Sequence, residues 1–165
     1  MPAAYRLGVP GKAFSLMLQT LAVFRVSVAG SAVGLAQAAL DEALRHTSAR
    51  TQFGRPLAEL GAASQSLALS WTEIEASRAL VYRAAALAER DPLAHLDFTS
   101  MAKIQATEAA ARVVDRCVQS MGRFGLVKAE KIERLYRNAR PLRIYEGSTE
   151  VLLDSLARRL VKKGS

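Results

Sequence analysis

Apolar residues recur every three or four positions along most of this chain, which is the spacing that predicts amphipathic α-helices. A first helix begins near Phe14, and its inward stripe runs through Val23, Val26, Gly30, Val33, Gln37, Leu40 and Leu44. Small residues crowd the same stretch, so a neighbouring backbone can approach it closely. We expect the helix to end at residues 52–56 (QFGRP), because Gly54 and Pro56 favour a turn and Pro56 suits a first helical turn.

A second long helix follows this turn and ends near residues 90–92 (RDP). Its stripe assigns Trp71 to the core and runs through Leu57, Leu60, Ser64, Leu67, Trp71 and Ile74. A third helix has Asp97 as its N-cap and ends at Gly122. Its inward residues are predicted to be Ile104, Thr107, Ala111, Val114, Val118 and Met121.

The remaining chain predicts a short basic helix over residues 129–137 and a last helix from about Thr149 to Lys162, capped by Ser148. No segment alternates with period two. The fold class is therefore all-α: an up-and-down four-helix bundle with a short extra helix. Residues 1–12 form a lead-in segment, and residues 13–165 form the bundle domain.

Composition supports packed helices, since half of the 165 residues are apolar and only 6% are aromatic. The single cysteine, Cys117, excludes an internal disulfide; we interpret it as a structural thiol and expect a cytoplasmic protein. The longest uncharged run, residues 26–40, has fifteen residues and is too short to span a bilayer. No export signal is evident, and we expect no membrane span.

The formal net charge of the chain is +8, and many of its basic residues lie in the last third of the sequence. Six of them recur every third position: Lys128, Lys131, Arg134, Arg137, Arg140 and Arg143. This basic stripe fits either a solvated helix face or an anion surface for the phosphates of a nucleotide, a coenzyme or a nucleic acid. Nucleic acid is the weakest of these, because only Phe124 and Tyr136 interleave with the charges.

Few residues form a constellation that could carry chemistry. His46 and His95 stand alone and are assigned to the surface, so no metal site is predicted. The candidates that remain are three corners: RTQFGRPL, QSMGRFG and RIYEGSTE. On pattern alone, Glu146 in the last corner is an ordinary surface acid.

These three corners, in this order on a helical bundle, resemble the signature stretches of the C-terminal helical domain of the acyl-CoA dehydrogenases. Those flavoenzymes introduce an α,β double bond into acyl-coenzyme A thioesters. The resemblance covers about residues 7–160 and includes the block YRNARPLRIYEGSTEV. It implies FAD as cofactor, an acyl-CoA substrate and an electron-transfer partner. In the family an N-terminal helical domain and a β-domain precede this bundle, and both are expected to be absent from this sequence.

By this resemblance, Glu146 aligns with the catalytic base that removes the α-proton of the thioester while a hydride leaves the β-carbon for the flavin. Burial strengthens a carboxylate as a base, because desolvation raises the pKa of a carboxyl group. Gly147 would leave room for the acyl chain. Together with Arg25 of the first helix, it is assigned to substrate binding.

The resemblance also assigns eight residues to the cofactor: Arg50, Gln52, Phe53, Gln119, Gly122, Arg123, Ser148 and Glu150. The first three match a stretch that meets the FAD adenosine pyrophosphate of a neighbouring subunit, although a core role for Phe53 is equally open. Arg123 stands where the family has a second glycine, so it either prevents close backbone approach or pairs with phosphate.

Two further departures bear on function: Gly61 replaces a common glutamine, and Ala22 replaces a frequent aspartate. They fit a divergent member or a domain that no longer binds flavin tightly. Three functions stay open: the base-bearing domain of an acyl-CoA dehydrogenase, a non-catalytic helical binding or oligomerisation module, and nucleic-acid binding, which we do not expect. We predict that the chain alone is inactive and forms a homo-oligomer, a dimer or tetramer.

Overall fold

The computed structural model describes residues 2–164 and contains five α-helices within them. The helices are α1 (Ala13–Ala49), α2 (Gly61–Arg90), α3 (Leu96–Met121), α4 (Lys131–Leu142) and α5 (Thr149–Gly164). Short 3-10 turns (Ala3–Tyr5, Leu57–Glu59, Gly122–Leu126) and the strands β1 (Thr51–Gln52) and β2 (Arg55–Pro56) lie between them. The helices α1, α2 and α3 pack on one another, α4 packs on α1 and α3, and α5 packs on α3. The predicted all-α bundle is confirmed.

The core is built mainly from alanine and lies beside the stripe that was predicted for α1. Val33 and Leu40 are buried as expected, but Val23 and Leu44 are about half exposed, so their assignment to the core is wrong. The inward positions are instead Ala22, Ala29, Ala32, Ala36, Ala39 and Ala43. Their small side chains let α1 approach α2 and α3 closely at interior packing density.

The assignment of Trp71 to the core is also wrong, because this side chain is 63% exposed. The buried face of α2 is rotated slightly from the predicted stripe and carries Ser70, Ile74, Ser77, Val81, Ala84 and Ala88. The hydroxyl of Ser70 accepts a hydrogen bond from Arg116 Nη1 of α3 at 2.9 Å. A small polar residue, Ser70, therefore occupies the buried position beside α3, and its neighbour Trp71 lies outside the core.

The segment after α1 differs from the prediction. Strands β1 and β2 form an antiparallel hairpin in which Thr51 faces Pro56, so Pro56 ends a strand instead of beginning a helix. The basic helix is also longer than predicted, because α4 continues to Leu142 and includes Pro141. The corner that follows is consequently shorter than the sequence pattern indicated.

Asp97 is not the N-cap of α3, which begins one residue earlier, at Leu96. Its buried carboxylate accepts hydrogen bonds from the Phe98 amide at 3.0 Å and from Lys163 Nζ at 2.7 Å. Burial alone would raise the pKa of Asp97, but these hydrogen bonds and the Lys163 charge outweigh it and lower the pKa. The pair fastens the end of α5 to the start of α3.

The helix α1 has 37 residues, and it contains an 18-residue window of mean hydropathy 1.5, enough by length and composition to cross a membrane. A core helix of a bundle meets the same two criteria, and nine residues of α1 are buried in this bundle. We therefore interpret α1 as a core helix.

Cys117 is buried as predicted, and burial raises the pKa of its thiol to about 12. The surface assignment of the two histidines needs correction, because His46 and His95 are both partly buried. Their rings lie beside phenylalanine rings, with centroids 5.2 Å from Phe124 and 6.4 Å from Phe98 respectively.

The basic stripe is partly neutralised by carboxylates. Arg137 pairs with Glu133 at 2.7 Å, and Arg143 pairs with Glu108 at 2.8 Å. Lys131 lies 3.7 Å from Glu42 of α1. Two of these cations, Lys131 and Arg143, therefore hold α4 and the residue after it to α1 and α3, which favours a structural role for the stripe over a continuous anion surface.

Candidate active site

The loop between α4 and α5 turns sharply at Glu146 and Gly147, whose φ angles are 57° and 98°. A left-handed backbone costs a residue with a side chain about 1–2 kcal/mol, so the surroundings must hold Glu146 there. Leu152 of α5 fills the inside of the turn. A Cβ atom on Gly147 would lie 2.9 Å from Leu152 Cδ2, which requires a glycine at this position.

Two cationic side chains hold the backbone of this corner. Arg25 of α1 donates from Nε to the carbonyl oxygen of Glu146 at 3.2 Å and from Nη1 to Ser100 Oγ at 3.2 Å. Lys103 of α3 donates from Nζ to the carbonyl oxygen of Gly147 at 2.8 Å. Burial lowers the pKa of Arg25, and the nearby Glu146 charge opposes this shift. Arg25 and Lys103, from two different helices, thus fix two consecutive carbonyl groups of the corner.

Lys103 is the residue at this site that the sequence analysis missed. It is fully buried, and burial lowers the pKa of its ammonium group. The sequence did carry a signal: Thr99, Ala102, Lys103, Ala106 and Ala110 recur at helical spacing and are all buried. A lysine at an inward helical position is rare enough to indicate a specific polar partner.

Glu108 fastens the two ends of the corner to α3. One carboxylate oxygen, Oε1, accepts from Arg143 Nε at 2.8 Å and from Thr149 Oγ1 at 2.7 Å. The Thr149 amide also donates to the Arg143 carbonyl oxygen at 3.3 Å. The first residue of α5 and the residue after α4 are therefore held together, and the corner between them has little freedom.

The carboxylate of Glu146 has no such partner. The side chain is partly buried, and its Oε2 atom is buried without a hydrogen bond within residues 2–164. A buried acceptor left unpaired costs about 1–3 kcal/mol, so it is a group that a ligand or a proton can satisfy. Chemically, the corner presents one free carboxylate oxygen on a rigid backbone.

Ser148 and Glu150 lie beside this carboxylate at the start of α5. Glu150 is exposed, and its pKa is lowered by a hydrogen bond with its own backbone and by one with the Ser148 side chain. The positive charges of Arg143 and Arg140 lower that pKa further. The corner therefore brings together five of the predicted site residues: Arg25, Glu146, Gly147, Ser148 and Glu150.

A second group of predicted residues lines a cleft of about 470 Å³ between the end of α1 and the end of α3. The predicted residues in it are Arg50, Gln52, Gln119, Gly122 and Arg123. Two guanidinium groups and two amides in one cleft suit the pyrophosphate of a dinucleotide. Phe53 is not among the lining residues; it is 91% exposed with φ 53°, so its proposed core role is wrong.

His46 also lines this cleft and was not predicted to do so. Its Nε2 atom is buried without a hydrogen-bond partner among the described residues. Burial lowers the pKa of His46, and the charges of Arg50 and Arg45 lower it further. The cleft therefore holds an unsatisfied polar atom beside its arginines.

The corner and the cleft lie far apart along α3. Lys103 marks one and Gln119 the other, and sixteen residues at 1.5 Å each separate them by about 24 Å. No group of three or more His, Cys, Asp or Glu side chains that could hold a metal ion occurs within residues 2–164. The geometry thus offers two separate sites, one with a free carboxylate and one with a cluster of cationic and amide donors.

The family model described as acyl-CoA dehydrogenase, C-terminal domain, matches residues 11–161. The chain is 39% identical over 163 residues to the CarC subunit of the caffeyl-CoA reductase-Etf complex of Acetobacterium woodii, a match that covers 99% of this chain and 43% of that protein. It is 42% identical over 156 residues to the 3-(aryl)acrylate reductase of Clostridium sporogenes, covering 94% of this chain and 41% of that protein.

Among solved structures, the butyryl-CoA dehydrogenase of Megasphaera elsdenii is similar with a TM-score of 0.92 and 36% identity. The similarity covers 98% of this chain and 42% of that one. The chain therefore spans about two fifths of the length of these relatives.

Proposed function

Because this chain belongs to the acyl-CoA dehydrogenase family as its C-terminal domain, we propose that it supplies the catalytic base of a FAD-dependent oxidoreductase that acts on acyl-CoA thioesters. The observation that carries this proposal is the unpaired, buried Oε2 atom of Glu146 on a corner whose carbonyl groups are fixed by Arg25 and Lys103.

In the proposed reaction, Glu146 accepts the proton from the α-carbon of the thioester. FAD, when bound, supplies the acceptor for the hydride that leaves the β-carbon. Arg25 and Lys103 hold the corner in place while the proton moves, and Gly147 lets the acyl chain pass close to the backbone. Positioning of this kind lowers the barrier because the base need not reorganise. In the reductive direction, which the names of two relatives indicate for those proteins, the same carboxyl group returns the proton.

The cleft is the proposed site for the adenosine pyrophosphate of FAD. Arg50 and Arg123 would donate hydrogen bonds to the phosphates, and Gln52 and Gln119 supply further donors. The cleft lies about 24 Å along α3 from Lys103, at the other end of that helix from the corner, which is too far for it to hold the flavin ring beside the base. We therefore propose that the cleft of one subunit holds the cofactor of its neighbour in a homo-oligomer.

Complementation between subunits tests this arrangement. Arg50→Glu reverses a charge in the cleft and should abolish phosphate binding there, whereas Glu146→Gln removes the base. The homo-oligomer of each variant is expected to be inactive. When the two variants are assembled together at equal amounts, about a quarter of the sites combine an intact cleft with an intact base. Activity of that order supports a shared site, whereas no recovery in verified mixed oligomers shows that base and cleft must come from the same chain.

The exposed apolar side chains of α1 and α2 fit such an assembly. Phe14, Met17 and Phe24 on α1 and Trp71 and Tyr82 on α2 are each 47% or more exposed. Surfaces of this kind favour contact with another domain or subunit. We propose that they meet the β-domain and the partner subunits, and that the holoenzyme has an electron-transfer partner, as the name of the Acetobacterium relative indicates for that protein.

The chain alone is expected to be inactive, because one wall of the flavin pocket would come from the β-domain. Without that wall, the flavin and the thioester are not held beside Glu146, and water is not excluded from the reacting carbons. Purified chain with added FAD and an acyl-CoA should show no turnover and weak flavin binding. Turnover at the rate of a complete enzyme would refute this expectation.

The base assignment is tested by Glu146→Gln in the holoenzyme, in which the N-terminal helical and β-domains accompany this chain in cis or in trans. The exchange of the substrate α-proton with D₂O should slow by about 10²–10⁴-fold. Asp154→Asn is the matched control, since Asp154 is an exposed acid on α5 that pairs with Arg158. Exchange at the wild-type rate in the Glu146 variant would exclude Glu146 as the base.

A non-catalytic binding or oligomerisation module is the second candidate. It is favoured by Ala22, which is fully buried and offers no carboxylate, and by Arg123, whose guanidinium lies 4.9 Å from the Phe124 ring centroid at the cleft. The flavin spectrum separates the two candidates: an assembled holoenzyme that is yellow and bleaches with substrate supports catalysis, and a colourless assembly supports the module.

A further inference from the structure

We infer that Lys103 is a positioning residue of the Glu146 corner, because its ammonium group holds the Gly147 carbonyl group from another helix. This inference rests on the proposed function for its catalytic consequence, but its structural part concerns the chain by itself. Lys103 lies on α3, whereas the corner it holds joins α4 to α5.

The burial of Lys103 needs a specific reason. Its side chain is fully buried, and no salt bridge to it occurs within residues 2–164. Burying an ammonium group costs several kcal/mol unless polar partners compensate. The partner in the structure is the carbonyl oxygen of Gly147 at 2.8 Å. A methionine of similar length would fill the same space without that cost, so the space alone does not account for a lysine.

The carbonyl that Lys103 binds belongs to the most constrained part of the chain. Glu146 and Gly147 are consecutive residues with positive φ. Arg25 binds the first carbonyl and Lys103 the second, so together they fix the peptide planes on either side of Gly147. These planes set the direction in which the Glu146 side chain leaves the backbone. Loss of Lys103 frees the second plane.

The Glu146 side chain depends on this backbone support because it lacks a hydrogen bond of its own. Its Oε2 atom has no partner among the described residues. Glu108, by contrast, accepts hydrogen bonds from Arg143 and Thr149. The direction of the Glu146 carboxylate is therefore set by the peptide planes that Arg25 and Lys103 hold.

The first test measures the order of the corner in the chain itself. In the ¹⁵N-labelled chain, the heteronuclear NOE of the Ser148 amide, which shares a peptide plane with the Gly147 carbonyl group, is compared between wild type and Lys103→Met. Thr107→Val is the matched control, because Thr107 is equally buried one turn along α3 and bonds only to carbonyl groups of its own helix. The NOE should fall in Lys103→Met and stay unchanged in Thr107→Val. An unchanged NOE in a folded Lys103→Met overturns the inference.

A measurement on wild type covers the case in which Lys103→Met does not fold. The hydrogen bond should give a scalar coupling between Lys103 Nζ and the carbonyl carbon of Gly147, which NMR detects in the isotope-labelled chain. If the Lys103 Nζ resonance is resolved and shows no coupling to that carbonyl carbon, the inference fails.

In the holoenzyme, Lys103→Met should lower kcat by tenfold or more with KM changed by less than about twofold, since the base is misplaced and the substrate contacts remain. Thr107→Val should leave both constants unchanged. Wild-type kcat in Lys103→Met overturns the catalytic part. Full activity in Glu146→Gln would instead refute the proposed function, while the NMR measurements on the chain would still decide whether Lys103 holds the corner.

Discussion

Gly147→Ala tests most directly how tightly the Glu146 corner is built. The new methyl group would lie 2.9 Å from Cδ2 and 3.3 Å from Cγ of Leu152, and 3.6 Å from Arg25 Nη2. Leu152 is 1% exposed and cannot turn away into solvent. The substitution therefore combines a left-handed backbone, which costs about 1–2 kcal/mol with a side chain, and an overpacked contact, which costs about 1–3 kcal/mol.

The expected loss in the free energy of unfolding is roughly 2–5 kcal/mol from these two terms. For a domain of this size, each kcal/mol lowers Tm by about 2–4 °C. Urea denaturation and thermal melting followed by circular dichroism measure both quantities. Gly54→Ala is the control, since Gly54 has φ 78° but nothing lies within 4 Å of its Cβ position. It should show the backbone cost alone.

A double-mutant cycle with Leu152→Ala separates the contact from the backbone. Leu152→Ala is destabilising by itself because it leaves a cavity, but it also removes the atoms that the new methyl group would meet. In that background Gly147→Ala should cost no more than Gly54→Ala does in wild type. If Gly147→Ala costs the same with and without Leu152, the steric account of this corner is wrong.

Three further predictions follow from the ionisable groups. Burial lowers the pKa of Lys103 below its ordinary 10.5. The free energy of unfolding should therefore rise with pH between the lowered pKa and 10.5. Urea denaturation at several pH values should show this rise in wild type but not in Lys103→Met. The pKa of Asp97 is lowered below 3.8, so the stabilisation that its carboxylate gives the fold is present above pH 3.8 and is lost as pH falls through the lowered pKa. Asp97→Asn should lower the free energy of unfolding by about 1 kcal/mol at neutral pH. It should also weaken the dependence of that free energy on pH in the acid range. The Cys117 thiol, buried with its pKa raised to about 12, should react with a disulfide reagent at pH 8 only as fast as the protein unfolds, and rapid labelling of the native chain would contradict its burial.

Helical periodicity predicted the number and order of the helices, because every long helix here has one side that must be buried. The same periodicity did not predict correctly which residues point inward. It is read from large apolar side chains, whereas most of the buried positions of α1 are alanines and Val23 lies on the outside. Trp71 was misplaced for the same reason. In a bundle whose helices approach closely, small residues mark the core and large ones lie on the outer faces.

The site was predictable to the extent that it is local in sequence. Glu146, Gly147, Ser148 and Glu150 are neighbours in the chain, and the family motif identifies them together. Lys103 comes from another helix, more than forty residues earlier, and its role depends on the left-handed turn at Gly147. A pattern of apolar residues cannot show which backbone carbonyl a buried lysine reaches, because that contact exists only when α3 and the corner are packed together.

The two atoms that the fold leaves unsatisfied support the site assignment independently of any motif. Within residues 2–164, the buried side-chain atoms without a hydrogen-bond partner are Oε2 of Glu146 and Nε2 of His46. Each costs about 1–3 kcal/mol if nothing pairs with it, and a bundle that satisfies a buried lysine could have satisfied these as well. One lies at the corner and the other in the cleft, near opposite ends of α3. At the predicted base and in the predicted cofactor cleft, the fold therefore offers a buried polar atom with which a bound group can pair.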